Sequence, residues 1–270
     1  MLRRVGALLA TVSGLGLAMA AVTVGRSAPS AAAPMHGVNR GKAAPAKAEK
    51  PRSPAETLDA RADSSFARLR PLHVSSANAQ RAVALRLYDD RGYIDESSAR
   101  ALDALLADCR DPEHVQSIAL DRRTLQLVYR AAYHFHVDQV EVVSAYRAPG
   151  RRREGPHGSG RAIDFKLKGV KATALAQYLR SLPRVGVGVY THRKTQYVHL
   201  DVREHSYHWL DASPPGRTWR EQRLPDSSIV VRDTRYTPES DWPEGSRPPA
   251  AAISRTNPAP LGTEGRDDHG

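Results

Sequence analysis

Two short stretches of the 270-residue chain carry residue types that together could bind a divalent cation. In "PHGSGRAIDF", His157 and Asp164 stand seven residues apart, which does not match the (i, i+4) neighbours of a helix face. A loop running into a strand suits them better. Gly155, Gly158 and Gly160 let that loop fold His157 back over the start of the strand that carries Asp164, and the small Ala162 leaves the approach open. In "YVHLDV", His199 and Asp201 alternate with Val198, Leu200 and Val202, so both polar side chains leave one face of a strand while the apolar ones enter a core. If the two strands are neighbours, His157, Asp164 and His199 supply two neutral imidazoles and one carboxylate. That is the donor set of a catalytic zinc ion with one position left for water.

Each residue also has a plain reading. His157 alone reads as a solvated loop histidine, Asp164 as a strand-end cap and Asp201 as the partner of a nearby arginine. His134, His136, His192, His205 and His208 are read as solvated. What separates the ligand candidates is their joint pattern, His-x-x-Gly-x-Ala-x-Asp followed by a later strand His-x-Asp. The arginines Arg151 to Arg153 just ahead of His157 would repel a cation, so they belong on a rim, where they would contact anionic polymer or stay solvated.

Positioning these residues needs strands in register and helices to cover them. "RAVALRLYD" (81–89) alternates like a half-buried strand, "DRGY" turns, and Asp95 or Ser97 caps a helix running to about Cys109 with Leu102, Leu105 and Leu106 on one face. Asp121 caps a second helix, whose apolar face holds Leu125, Leu127, Val128, Ala131 and Ala132. "VEVVSAY" (140–146), "AIDFKL", "GVGVY" (186–190) and "TQYVHLDV" read as strands, and "KATALAQYLRSL" as a helix. Helices followed by short hairpin-linked strands place the chain in the α+β class, with a mainly antiparallel sheet and flanking helices.

Residues 1–33 have basic residues, an apolar run and then small residues, the layout of an export signal, with an uncleaved membrane anchor as the alternative. Arg3 and Arg4 hint at twin-arginine export, and no cysteine follows the run to carry a lipid. Residues 34–66 and 213–270, rich in Pro and without apolar period, read as a disordered linker and a disordered tail, in which Trp219 and Trp242 are isolated aromatics. The domain between spans 67–212. The single cysteine, Cys109, excludes an internal disulfide and reads as a small buried hydrophobe. A net charge of +11 favours an acidic partner, whether nucleic acid, membrane surface or wall polymer. No nucleic-acid-binding motif accompanies the charge, and export argues for the wall.

The ordered blocks "RLYDDRGYIDESSARALDALLADCRD", "VVSAYRAPG", "HGSGRAIDF", "GVGVY", "YVHLDV" and "HW", from Leu69 to Trp209, resemble the murein endopeptidase K family. That family lies within the clan of zinc peptidases that includes the D-Ala-D-Ala carboxypeptidases and shares its zinc-site fold with the hedgehog signalling domain. The resemblance implies that His157, Asp164 and His199 are Zn2+ ligands and that Arg147 neutralises the oxyanion of a tetrahedral intermediate. One oxyanion donor is worth roughly 3–4 kcal/mol. Asp201 is the candidate base for the attacking water. Amide hydrolysis at neutral pH needs such an arrangement, since zinc lowers the pKa of water it holds from about 15.7 to about 7.

The expectation is therefore an exported enzyme of the periplasm or cell envelope that cuts peptide cross-links of peptidoglycan, does not bind nucleic acid, and touches membrane only through its N-terminal segment. Arg147 has an alternative role, pairing with Asp201 at the sheet edge. Two departures from the family pattern bear on substrate preference: Gly155 stands where a Ser is usual, and "GRRREG" replaces a segment that usually keeps an Asn. Gln196, three residues before His199, stands where some clan members carry a catalytic Glu, so a non-catalytic peptidoglycan-binding module is the alternative.

Overall fold

The computed structural model describes residues 65–111, 113–148, 155–217 and 221–256. The expected signal or anchor, nearly all of the linker, Arg151 to Arg153 and Trp219 lie outside the described residues. Among the described residues, no helix is long and apolar enough to cross a membrane.

Strands β1 (Leu72–Ser76) and β2 (Arg81–Leu85) open the fold as an antiparallel hairpin. Helix α1 (Glu96–Leu105) follows, then α2 (Arg122–His134), β3 (Gln139–Ser144), the one-turn helix α3 (Gly155–Gly158), β4 (Ala162–Leu167) and α4 (Ala172–Arg180). Strands β5 (Val185–Tyr190), β6 (Val198–Val202), β7 (Tyr207–Asp211) and β8 (Glu221–Arg223) complete an eight-stranded sheet in the order β2-β1-β3-β4-β6-β5-β7-β8. Five pairings are antiparallel, and two, β1 with β3 and β5 with β7, are parallel. The α+β class with a mainly antiparallel sheet holds.

The helix starts are where the capping residues put them. The Asp95 carboxylate accepts from the backbone N–H of Ser97 and Ser98, and that of Asp121 accepts from Thr124, each cap contributing about 1 kcal/mol. The first helix stops short of Cys109, however. Asp108 leaves it to bridge Gln116 through paired backbone hydrogen bonds of 2.7 and 3.2 Å, which leaves Cys109 half-buried on the following turn. Alternation along the strands sends Ile163, Phe165, Val187, Val198 and Leu200 into one core beneath the helices, with Leu125, Val128, Leu175 and Leu179. The residues of opposite parity, Asp164, His199 and Asp201, are left on the other face.

The expected tail from 213 holds ordered elements past the expected boundary at 212, while 218–220 and 257–270 lie outside the described residues. Beyond β8 the chain forms α5 (Ile229–Thr234), a 3-10 turn (Pro238–Asp241) and α6 (Ala250–Thr256). Three side chains from this segment seat in the domain. Asp233 accepts from the backbone N–H of Arg184 and Ser206 at 2.6 and 2.7 Å, and Asp241 accepts from Arg123 Nε at 2.9 Å. Trp242 is 2% exposed and donates its indole N–H to the carbonyl of Gly92 at 3.0 Å. Individually bonded anchors hold this segment in place of an apolar period, which is why it reads as a tail. His208, expected to be solvated, is buried in β7 beneath the same segment. His134 stacks on Tyr178 with ring centroids 3.8 Å apart.

Candidate metal centre

Strands β4 and β6 are hydrogen-bonded neighbours, in the register that sets Asp164 opposite His199 and Ala162 opposite Asp201. This is the adjacency on which the ligand set depends. His157 arrives from α3, one helical turn where a loop is expected. The turn is closed by Gly160 N–H donating to the His157 carbonyl and Arg161 N–H donating to that of Pro156, at 3.2 and 2.9 Å. Gly160 has φ +70°, and a Cβ there would run into the Ile118 side chain and the Ala119 carbonyl, so only glycine closes this turn.

Three side-chain atoms converge. His199 Nδ1 lies 2.8 Å from Asp164 Oδ1 and 3.2 Å from His157 Nε2, and His157 Nε2 lies 3.5 Å from Asp164 Oδ1. All three residues are buried. Around a tetrahedral zinc ion with bonds of about 2.0–2.1 Å, donor atoms stand about 3.3 Å apart. The observed separations bracket that value, so the donor set fits the ion.

The opposite ring nitrogens are held in turn. His157 Nδ1 donates to the Ala145 carbonyl at 2.6 Å, which leaves Nε2 as the bare nitrogen facing the centre. His199 Nε2 meets Asp201 Oδ2 at 3.0 Å. Asp201, fully buried, is gripped by Arg203 through Nε and Nη2 at 2.6 and 2.5 Å. Burial alone would push His199 toward neutrality, but its hydrogen bonds to Asp164 and Asp201 outweigh burial and raise it to about 9. Burial would likewise raise Asp164, and the two imidazoles hold it well below the usual carboxylate range instead.

Asp201, the candidate base, sits against the outer ring nitrogen of His199. Its carboxylate lies behind His199, on the ring nitrogen turned away from Asp164 and His157, and His199 and Arg203 depress it to about 2 against the effect of burial. A carboxylate so placed orients the imidazole it bonds. The plain reading of Asp201 as an arginine's partner is therefore part of the answer, the arginine being Arg203.

Arg147 pairs with Asp164 rather than Asp201. Its Nη2 donates to Asp164 Oδ2 at 2.7 Å and its Nε to Ser144 Oγ at 3.0 Å, while Nη1 has no partner among the described residues. A bulge in β3 makes this possible. The register shifts between Val142 and Ser144, so that Ser144 rather than Val143 lies opposite Asp164, and the strand end turns toward the centre.

Sequence reasoning assigned no role to Arg203, Trp209 or the two glycines of "GVGVY". Trp209 packs on His199 with ring centroids 5.1 Å apart. Gly188, opposite His199 in the register, lies where a Cβ would collide with the Trp209 ring, and one on Gly186 would collide with Asp201 and Arg203. The glycines clear space for the groups that brace His199. For Arg203 a signal was present, since it follows Asp201 by two residues, just past the end of β6. Tyr190 and Tyr197 stack at 4.3 Å, and burial followed by the nearby Asp164 charge raises both phenols, Tyr190 to about 12, so both stay protonated at neutral pH.

No curated protein and no solved structure matches the chain. A family model described as peptidoglycan L,D-endopeptidase MepK matches residues 64–209, more than half of the sequence, and the matched span holds Arg147, His157, Asp164, His199 and Asp201. The chain belongs to the peptidoglycan L,D-endopeptidase MepK family.

Proposed function

We propose that this protein is a zinc-dependent endopeptidase of the bacterial envelope that hydrolyses peptide cross-links of peptidoglycan. The observation that carries this reading is the convergence of His157 Nε2, Asp164 Oδ1 and His199 Nδ1 within 3.5 Å of one another, inside the span matched by the family. When bound, an ion there supplies Lewis-acid polarisation of a carbonyl and activation of water at neutral pH. The chain's own residues do the rest. With an ion bound, His157 would offer it Nε2 and His199 would offer it Nδ1, because the Ala145 carbonyl and Asp201 hold their other ring nitrogens. Arg203 keeps Asp201 ionised and in place. Arg147, anchored through Asp164 and Ser144, keeps Nη1 for the negative charge that develops on the scissile carbonyl oxygen. The phenols of Tyr190 and Tyr197 remain available as donors beside it. Export, through the N-terminal segment, places the enzyme with its substrate.

The test is direct. Full-length protein should hold about one zinc per chain and release muropeptides from isolated sacculi. His199→Ala should lose the metal and slow release on the order of 10³-fold or more, with the fold kept. Protein that holds zinc and leaves sacculi intact would overturn the reading. One observation favours a non-catalytic wall-binding module: the carboxylates bonded to His199 are Asp164, a ligand, and Asp201, which is locked away. Such a module would bind sacculi and release nothing.

A further inference from the structure

Strand β4 does not end its polar face at the ligand. Alternation puts Lys166 on the same side as Asp164, and Lys168 continues the line just past the strand end. Lys166 lies opposite Glu141 in the register and bonds it at 3.2 Å. Two residues along a strand cover about 7 Å. One step from the metal centre, therefore, the sheet face opens into a cleft of about 880 Å3 between β1, β3, β4 and the β5–β6 turn. This volume is within the range of sites for small ligands, about 300–1,000 Å3.

The lining of the cleft is lopsided in charge. Lys166, Lys168, Lys171, Arg193 and Lys194 face it, against Asp138 and Glu141. Lys166 is tied to Glu141, but Lys168, Lys171, Arg193 and Lys194 have no carboxylate partner among the described residues. The turn that brings Arg193 and Lys194 to the cleft is a built feature. Thr195 N–H and Oγ1 both donate to the His192 carbonyl, at 2.8 and 3.0 Å, and Gln196 at its end holds the left-handed φ of +42°. A non-glycine residue in that conformation is strained, and such strain persists where the surrounding structure over-determines it, often at ligand clamps.

We infer that this cleft is the subsite for the free carboxylates of a peptidoglycan peptide stem, and that it selects substrates carrying a carboxylate two to four residues from the bond being cut. The inference rests on the peptidase reading above for the position of that bond. An extended stem with its amide at the His157–Asp164–His199 centre runs along β4, where its second residue reaches Lys166 and its fourth reaches Lys168. Peptide stems are short and bear several carboxylates, so they match a narrow cationic cleft in charge and in size. Amidation of those carboxylates, which removes charge without changing length, is the modification this cleft would reject.

Binding is measured by titration calorimetry of the full-length protein with a soluble tetrapeptide stem in its free-acid and amidated forms. Wild-type protein should bind the free acid about 10-fold more tightly, with the preference shrinking as salt rises. Lys168→Gln/Lys194→Gln should abolish the preference, while Arg100→Gln/Arg235→Gln, which removes the same charge elsewhere, should keep it. No measurable binding, equal affinity for the two stems, or a preference that survives in the first double variant would overturn the inference. Muropeptide release from sacculi is scored separately. Its absence in wild type counts against the peptidase reading, whereas the calorimetric preference stands or falls independently of turnover.

Discussion

The metal centre and the segment beyond β8 are both held by buried carboxylates, yet they store their information differently. At the centre, Asp164, His199 and Asp201 occupy alternate positions of two strands paired in register, so a period of two along the chain already sorts ligand from core. In the C-terminal segment, Asp233, Asp241 and Trp242 reach partners tens to 150 residues away, and nothing in their spacing announces it. A polar, proline-rich composition is compatible with order when a few side chains find sockets the rest of the fold has prepared. Arg123 is one such socket. It bonds Asp241, donates to the carbonyls of Pro183 and Arg184, and lies over the Tyr236 ring at 4.7 Å.

If the clasp is as structural as the centre is chemical, the two should break separately. The largest effect is expected from Trp242→Ala, which empties a buried indole site against Tyr88 and should cost about 3–5 kcal/mol by denaturant unfolding, with zinc content unchanged. A loss below 1 kcal/mol would return this segment to the status of a tail.

Next comes acid sensitivity. Burial first, then Arg180 and Arg232, depress His208 to about 4, with Asp226 and Asp233 opposing them. Because the folded value lies below the ordinary 6.5, the unfolded chain binds the extra proton between the two. The contribution of His208 is therefore complete above pH 6.5 and is lost as pH falls toward 4, by about 3 kcal/mol in all. Unfolding of wild type and His208→Leu at pH 7.5, 5.5 and 4.5 should show the gap between them closing in acid. A constant gap would remove His208 from the account of the clasp.

The smallest effect sharpens the other side. Asp201→Asn should weaken zinc affinity about 10- to 100-fold, as loss of a partner that orients a ligand does, with muropeptide release recovering at saturating zinc. Release that stays abolished in the zinc-loaded variant would identify Asp201 as the base.

Much of the scaffold around the site was legible because its signals are local. Asp95 and Asp121 mark helix starts by their own capping chemistry, and the apolar alternation of 162–167 and 198–202 marks strands and their inward faces. Strands β1 and β7 were not seen, and β8 lies in the stretch read as a tail. The first is five residues of mixed polarity, and the second places His208 inward and Trp209 toward the metal face, so each of its faces mixes polar and apolar residues.

By itself the sequence determined which residues could bind a cation and that they would project from one side of their strands, since side-chain parity depends only on the chain's own period. Three things were decided by the tertiary structure. The β3 bulge aims Arg147 at Asp164, the packing of Arg203 and Trp209 over glycines turns Asp201 into a brace for His199, and distant sockets hold Asp233, Asp241 and Trp242. Each depends on the distance between groups far apart in the chain, and such distances exist only once the chain has folded.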